Sequence, residues 1–111
     1  MVILFLLQVA EGLNYLHGKD IIFRDLKPHN ILVFSLSIGV FVNAKITDFG
    51  ISRMATSGGL KGFQGTAGYM DSQITGNQSY NNKVDIFSFG ILLREMLTGE
   101  KVLYDIRYVL L

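Results

Sequence analysis

Four polar residues stand where a tight loop and strand ends would present them to a ligand: Asp25, Lys27, Asn30 and Asp48. Asp25 and Asn30 share the loop from Arg24 to Asn30, which contains Pro28, the sole proline. Asp48 follows a β-prone run, Lys45-Ile46-Thr47, which is the natural partner of Ile31–Phe34 across the spacer Ser35–Asn43. A hairpin of those two strands brings Asn30 and Asp48 to the same end. Two oxygen ligands there suit Mg²⁺, which takes one or two carboxylates and fills its shell with water and phosphate oxygens. Asp25 lies nearby, free to accept a hydroxyl proton, and Lys27 adds a point charge that can meet a phosphoryl group. Metal ligands, a cation and a base are the minimum kit for phosphoryl transfer.

Apolar segments must hold these groups in place. Residues 2–17 carry Leu6, Val9, Leu13 and Leu16 at helical spacing, and Gly18 is placed to stop the helix. Ile21-Ile22-Phe23 predicts a short strand. From Asp48 to about Asn82 the chain is rich in Gly, Ser, Thr and Asn and has little periodicity. A structureless stretch of that length inside a compact domain is uncommon and usually functional. Val84–Leu97 predicts a helix that is apolar nearly all round (Ile86, Phe87, Phe89, Ile91, Leu92, Leu93, Met96, Leu97), ended by Gly99. A helix of that kind is normally central and covered on every side.

Composition limits the remaining choices. The 111 residues allow one domain at most, and 50% are hydrophobic against 17% charged, below the roughly 25% of ordinary soluble domains. Disorder is excluded on that balance. A formal net charge of +1 gives no electrostatic case for nucleic acid or an anionic membrane surface. With no Cys there are no disulfides, thiolate zinc sites or Cys nucleophiles, which fits a reducing, cytoplasmic setting. Met1–Leu7 is apolar without a basic n-region or cleavage site, and Gln8, Glu11 and Asn14 interrupt it too early for a membrane span. A buried helix is the expectation there. Both ends read as cut edges of a larger core.

Four stretches in register resemble one family. Phe23-Arg24-Asp25-Leu26-Lys27-Pro28-His29-Asn30 is similar to the protein-kinase catalytic loop, and Asp48-Phe49-Gly50 to its metal-binding triplet. Gly65-Thr66-Ala67-Gly68-Tyr69-Met70 resembles the loop that receives the substrate peptide. Asp85-Ile86-Phe87-Ser88-Phe89-Gly90 resembles the start of the buried helix that anchors the catalytic loop. Any one of these alone is weak, but their order and spacing agree from about residue 2 to residue 100. Lys27 and Thr66 resemble the serine/threonine class. The Phe23 variant, Asn30 to Leu36, the long spacer before Asn43-Ala44-Lys45, and Gly50-Ile51-Ser52-Arg53 look most like the leucine-rich-repeat (Roco-type) kinases of the tyrosine-kinase-like group.

The resemblance implies an α+β, protein-kinase-like fold in part, mainly the helical C-terminal lobe with short β-hairpins, and ATP and Mg²⁺ as cofactors. The expected layout is a catalytic loop at 23–30, a metal triplet at 48–50, an activation segment at 48–73 and a buried helix at about 84–97. By the same likeness Asp25 orients the substrate hydroxyl and accepts its proton, and Lys27 steadies the transferring phosphate. Asn30 and Asp48 hold Mg²⁺, while Leu32 forms part of the floor under the adenine, supported by Leu92 and Met96. Arg24 pairs with an activation-segment phosphate, for which Thr56 and Ser57 are the candidate sites. Phe23 touches Phe49 of the Phe49-Gly50 pair, and Asp85 caps the catalytic-loop backbone. Partners follow as a protein substrate and ATP, with GTPase and repeat domains elsewhere in the parent chain.

Departures and plainer readings stand beside this. Asp71-Ser72-Gln73 occupies the place of the family's Ala-Pro-Glu, and Phe87 that of the usual tryptophan. No Gly-rich phosphate loop, strand lysine or partnering glutamate precedes the helix at residue 2, so the ATP-covering lobe and the later helices are expected to be absent. Isolated aspartates are commonly loop or cap residues; Arg24 has the alternative of a surface charge, and Thr56, Ser57 and Thr66 of plain turn residues. His17 and His29 read as packing or solvent-facing, since no Cys or paired His supports a metal site. A pseudokinase or truncated scaffold is the alternative function, and a membrane-anchored peptide through Met1–Leu16 a third. A Gly-rich loop upstream would decide against the second, and failure to partition into lipid against the third.

Overall fold

A computed structural model describes residues 2–33, 43–76 and 78–100. The order is helix α1 (Val2–Gly18), strand β1 (Ile21–Ile22), a 3₁₀ turn (Pro28–Asn30), β2 (Ile31–Val33), β3 (Ala44–Ile46), β4 (Arg53–Met54), the one-turn helix α2 (Ser72–Thr75) and helix α3 (Lys83–Thr98). Phe34 and most of the spacer, residues 35–42, lie outside the described residues. Helical architecture with two small antiparallel strand pairs is the α+β arrangement expected.

α1 forms because its apolar residues fall on one stripe. Phe5, Leu6, Val9, Leu13 and Leu16 are buried, and the opposite face carries Ile3, Leu7 and Tyr15 in solvent. The helix does not end at Gly18 in a left-handed turn. Gly18 stays helical and Asp20 takes φ 57 instead, after Lys19 and Asp20 N–H groups bond back to Leu16 and His17. Aspartate tolerates that region because its short polar side chain serves its own backbone.

Two cores meet at β1. Side chains alternate across a strand, so neighbours point to opposite sides. Ile22 packs with Ile74, Tyr80 and Val84, whereas Phe23, Leu26, Ile31, Ala44 and Leu92 join the α1 stripe. Phe23 and Leu26 are wholly buried, each worth about 1.5–3 kcal/mol of transfer free energy. The residues between them are thereby pinned at the boundary.

β2 and β3 pair antiparallel with Ile31 opposite Ile46, Leu32 opposite Lys45 and Val33 opposite Ala44. The expected hairpin pairing is therefore present, with the second strand one residue earlier than Lys45–Thr47. Gln8 Oε1 accepts the Ala44 N–H at 2.7 Å and ties β3 to α1. Gly12 permits the close approach, since a Cβ there would lie 3.2 Å from Ile46 Cδ1.

The stretch from Asp48 to Asn82 is less featureless than its composition predicts. β4 pairs with β1 (Ile21 with Met54, Ile22 with Arg53), Leu60 bridges Tyr80, and α2 closes a turn. These pairings join residues far apart in sequence, so local periodicity carries no trace of them. Asp71 caps α2 by accepting the Gln73 N–H at 2.9 Å.

α3 ends at Gly99, which adopts φ 73 and bonds back to Glu95. It is not covered on every side. Val84, Asp85, Ser88 and Leu92 form the buried stripe, while Ile86, Phe87, Leu93 and Leu97 are exposed, Leu97 at 66%. Phe87 therefore does not serve as a buried packing group. Among the described residues no helix is long and apolar enough to cross a membrane. Apolar side chains this open on two helices drive association in water. The 111-residue polypeptide is expected to self-associate in sedimentation velocity; a monodisperse monomer at high concentration would contradict this.

Candidate active site

The loop 23–30 is set by a buried carboxylate far along the chain. Asp85, on the first turn of α3 and wholly buried, accepts the Phe23 and Arg24 N–H groups, both at 2.8 Å. His17 Nε2, from the end of α1, lies 2.7 Å from the same carboxylate. Arg24 sits at φ 72, a region that costs a long side chain of order 1 kcal/mol or more unless neighbours enforce it. Asp85 on its N–H supplies part of that enforcement. Leu26, two residues on, is wholly buried.

Asn30 locks the far end. Its Nδ2 donates to the Asp25 carbonyl at 2.7 Å and to Asp25 Oδ2 at 3.1 Å. The 3₁₀ turn forms as the Asn30 N–H bonds Lys27 O, with Pro28 in a first position where no donor is needed. Thr47 N–H donates to Asn30 O at 2.8 Å, continuing the β2–β3 ladder by one step. Asp48 follows at once, at φ 66 and exposed, so Asn30 and Asp48 belong to the same hairpin end. Leu32 is half-exposed on β2.

The third contributor is Thr66. Its hydroxyl donates to Asp25 Oδ1 at 2.6 Å and accepts from Lys27 Nζ at 2.8 Å. Lys27 Nζ itself stands 4.0 Å from Asp25 Oδ1, at the limit of an ion pair. The segment can come this close because residue 65 is glycine. It holds φ 135, and a Cβ there would lie 2.9 Å from the Arg24 carbonyl oxygen. Asp25, Lys27, Asn30 and Thr66 thus form one bonded cluster drawn from two separate loops.

Phe23 and Phe49 meet edge to face, 5.4 Å between centroids and 76° between planes. Gly50 follows, where a Cβ would crowd Asp48 Oδ1 at 3.3 Å. Arg24 turns its guanidinium away from the cluster, Nε donating to Ile51 O at 2.7 Å and Nη1 to the Tyr80 hydroxyl at 3.1 Å. Thr56 and Ser57 are exposed in a turn that Thr56 Oγ1 closes on Gly59 O, and Arg24 does not bond either of them. A cavity of about 250 Å³ opens beside Phe49, between α1 and β3; Asp25 and Asn30 do not line it.

Several residues beyond the sequence reading hold this arrangement. His17, expected to pack or face solvent, bonds Asp85 across 68 positions; no local pattern signals that. Tyr80, a single ring in a polar run, carried no expectation. Tyr69 donates to both Glu95 carboxylate oxygens at 2.7 and 2.8 Å. Burial, then the hydrogen bond and charge of Glu95, hold the Tyr69 phenol above its ordinary range, so it stays a donor. A carboxylate inside the apolar α3 was the readable signal for this pair. Among the described residues no group of three His, Cys, Asp or Glu side chains converges on a point.

The geometry is thus a loop backbone stapled to α3, a carboxylate–lysine–hydroxyl cluster and an aspartate just beyond β3. Residues 2–108 match the protein kinase domain family, and the chain belongs to it. Mouse leucine-rich repeat serine/threonine-protein kinase 1 is 49% identical over 94 residues, covering 85% of this chain and 5% of that protein. The protein of the same name from Caenorhabditis elegans is 48% identical over 101 residues, covering 82% and 4%. Mitogen-activated protein kinase kinase kinase 13-B of Xenopus laevis is 44% identical over 93 residues, covering 83% and 9%. The chain thus spans less than a tenth of the length of these relatives.

Removing the Asp85 carboxylate leaves two buried N–H groups and His17 without their acceptor. Asp85→Ala is expected to lower unfolding free energy by about 3 kcal/mol or more, and His17→Ala by about 1 kcal/mol, in urea titrations. Equal midpoints for Asp85→Ala and wild type would contradict the staple.

Proposed function

We propose that this chain supplies the catalytic middle of a protein serine/threonine kinase, one that transfers the γ-phosphoryl group of ATP to Ser or Thr hydroxyls of a protein. The observation that carries the reading is the Thr66 hydroxyl seated 2.6 Å from Asp25 Oδ1, with Lys27 on its other side. An aliphatic hydroxyl is the group a Ser or Thr substrate would bring to the same carboxylate. In this reading 23–30 is the catalytic loop, 48–73 the activation segment and α3 the anchoring helix.

The roles follow from the bonds. Asn30 Nδ2 holds Asp25 Oδ2 and fixes the carboxylate plane. Asp25 then orients the incoming hydroxyl and accepts its proton through Oδ1. Lys27 stands close enough to offset charge on the transferring group. With both Asn30 amide hydrogens directed at Asp25, its Oδ1 is left as a hard oxygen ligand, and Asp48 adds a carboxylate at the same hairpin end. That donor set fits Mg²⁺. Mg²⁺-bound ATP supplies the phosphoryl group and the positive charge that its oxygens need. Leu32 offers an apolar floor for the adenine.

The relatives' names place leucine-rich repeats in two of those proteins; repeat and GTPase domains in the complete polypeptide stand as part of this proposal. A scaffold without turnover is the second reading, favoured by one observation. Gln73, where the family carries glutamate, is exposed at the start of α2 and not engaged in a buried ion pair.

In the complete natural polypeptide, Asp25→Asn is expected to cut peptide phosphorylation at least 100-fold, roughly the value of a positioned base, with Mg²⁺-ATP binding kept. Unchanged phosphorylation would overturn the assignment and favour the scaffold. Within these 111 residues no Gly-x-Gly-x-x-Gly run occurs to cover the phosphates. Phosphoryl transfer depends on positioning from both sides, so the polypeptide by itself is expected to show no turnover in a radiolabelled ATP assay. Measurable kinase activity from it would refute that.

A further inference from the structure

Arg24 is the charged member of the loop 23–30 that the proposed chemistry leaves unused. By family likeness it waits for a phosphate on the activation segment. Its guanidinium is instead engaged within the fold, bonded to Ile51 O and the Tyr80 hydroxyl, and the residue is only 6% exposed. Tyr80 carries the link onward. Its hydroxyl donates to Gly62 O at 3.1 Å, and its backbone exchanges two 2.8 Å hydrogen bonds with Leu60. Its ring is packed with Ile22, Ile74 and Val84 and is 3% exposed. Gly59, at φ 76, lets the two segments touch, because a Cβ there would fall 2.9 Å from Tyr80 O.

We propose that Tyr80 is a positioning residue that joins Arg24 to the activation segment through its hydroxyl, so that the segment is ordered without phosphorylation. A hydroxyl bonded to a guanidinium is a charge-assisted contact, stronger than a neutral pair. Here it is also prepaid, since the ring that carries it is fixed by the second core. A phosphate would bring close to two negative charges and more acceptor oxygens. It would have to reach a guanidinium that already has two partners and little exposure. The consequence lies three residues beyond Gly62, where Gly65 and Thr66 are held against Arg24 O and Asp25 in the unmodified chain.

The kinetic part of this inference rests on the kinase reading; the structural part does not. Tyr80→Phe keeps the ring and the backbone bridge and deletes only the hydroxyl. The complete polypeptide, wild type and variant, is treated with a protein phosphatase. Amide hydrogen exchange and peptide phosphorylation with Mg²⁺-ATP are then measured. In the variant, exchange at Leu60, Tyr69 and residue 80 is expected to rise about tenfold, the scale of one lost charge-assisted bond, with α1 amides unmoved. Its kcat is expected to fall about tenfold with the KM for ATP unchanged. The wild type is expected to keep its kcat within about twofold after dephosphorylation. Wild-type exchange in the variant would overturn the proposal, as would loosening that spreads to α1 or a wild type silenced by phosphatase. If the wild type shows no turnover before treatment, the kinase reading fails, and the exchange arm still decides the role of Tyr80.

Discussion

The arrangement depends on one buried carboxylate. Taking a carboxylate out of water costs several kcal/mol unless its lone pairs are bonded. Asp85 meets that condition with donors from α1 and from the loop 23–30, which no apolar side chain could replace. The donors from the loop are the Phe23 and Arg24 backbone N–H groups, and Arg24 holds a positive φ there. Burial cost and backbone strain are therefore met together. Moving the loop would uncover an unbonded carboxylate, and removing the carboxylate would release the loop.

Around that point the structure divides its labour by type of force. Apolar burial fixes the framework: Phe23 and Leu26 go to the α1 core, and Ile22 goes to the core shared by α2 and α3. Polar contacts place the working groups on it. The segment from Thr56 to Gly68 is largely exposed and contains no buried residue. It is held at Leu60–Tyr80, at Gly62–Tyr80 and at Thr66–Asp25–Lys27. A segment tied down by a few hydrogen bonds responds to the loss of one chemical group, and segments of that kind sit at the low end of local stability. Regulation acting at this segment would need to change only a bond or two.

Much of the framework could be read in the residues. The stripe Leu6, Val9, Leu13, Leu16 defined α1, and the β2–β3 hairpin followed from two β-prone runs, with β3 one residue earlier than its run. Helix ends were less legible: Gly18 looked like the stop, but Asp20 made the turn, because both residue types tolerate left-handed backbone and spacing alone does not choose. α3 was read as covered all round from its composition. Four of its apolar side chains remain in solvent, since burial is decided by what packs against a helix and not by the helix itself.

The site divides in the same way. Residue types and spacing determined which groups could do chemistry, because Asp25, Lys27, Asn30 and Asp48 lie within short loops or at strand ends, where local geometry suffices. The fold alone decided how they are held. Asp85 and His17 are 68 positions apart, Thr66 and Asp25 are 41 apart, and Tyr80 and Arg24 are 56 apart. Contacts at such separations arise from the packing of two cores, which no window of sequence contains, and hydrogen bonds between them leave no periodic trace. The list of candidate groups is thus a local property of this chain, and the bonding of Asp25, Lys27 and Asn30 with Thr66 into one cluster is a property of its folded state.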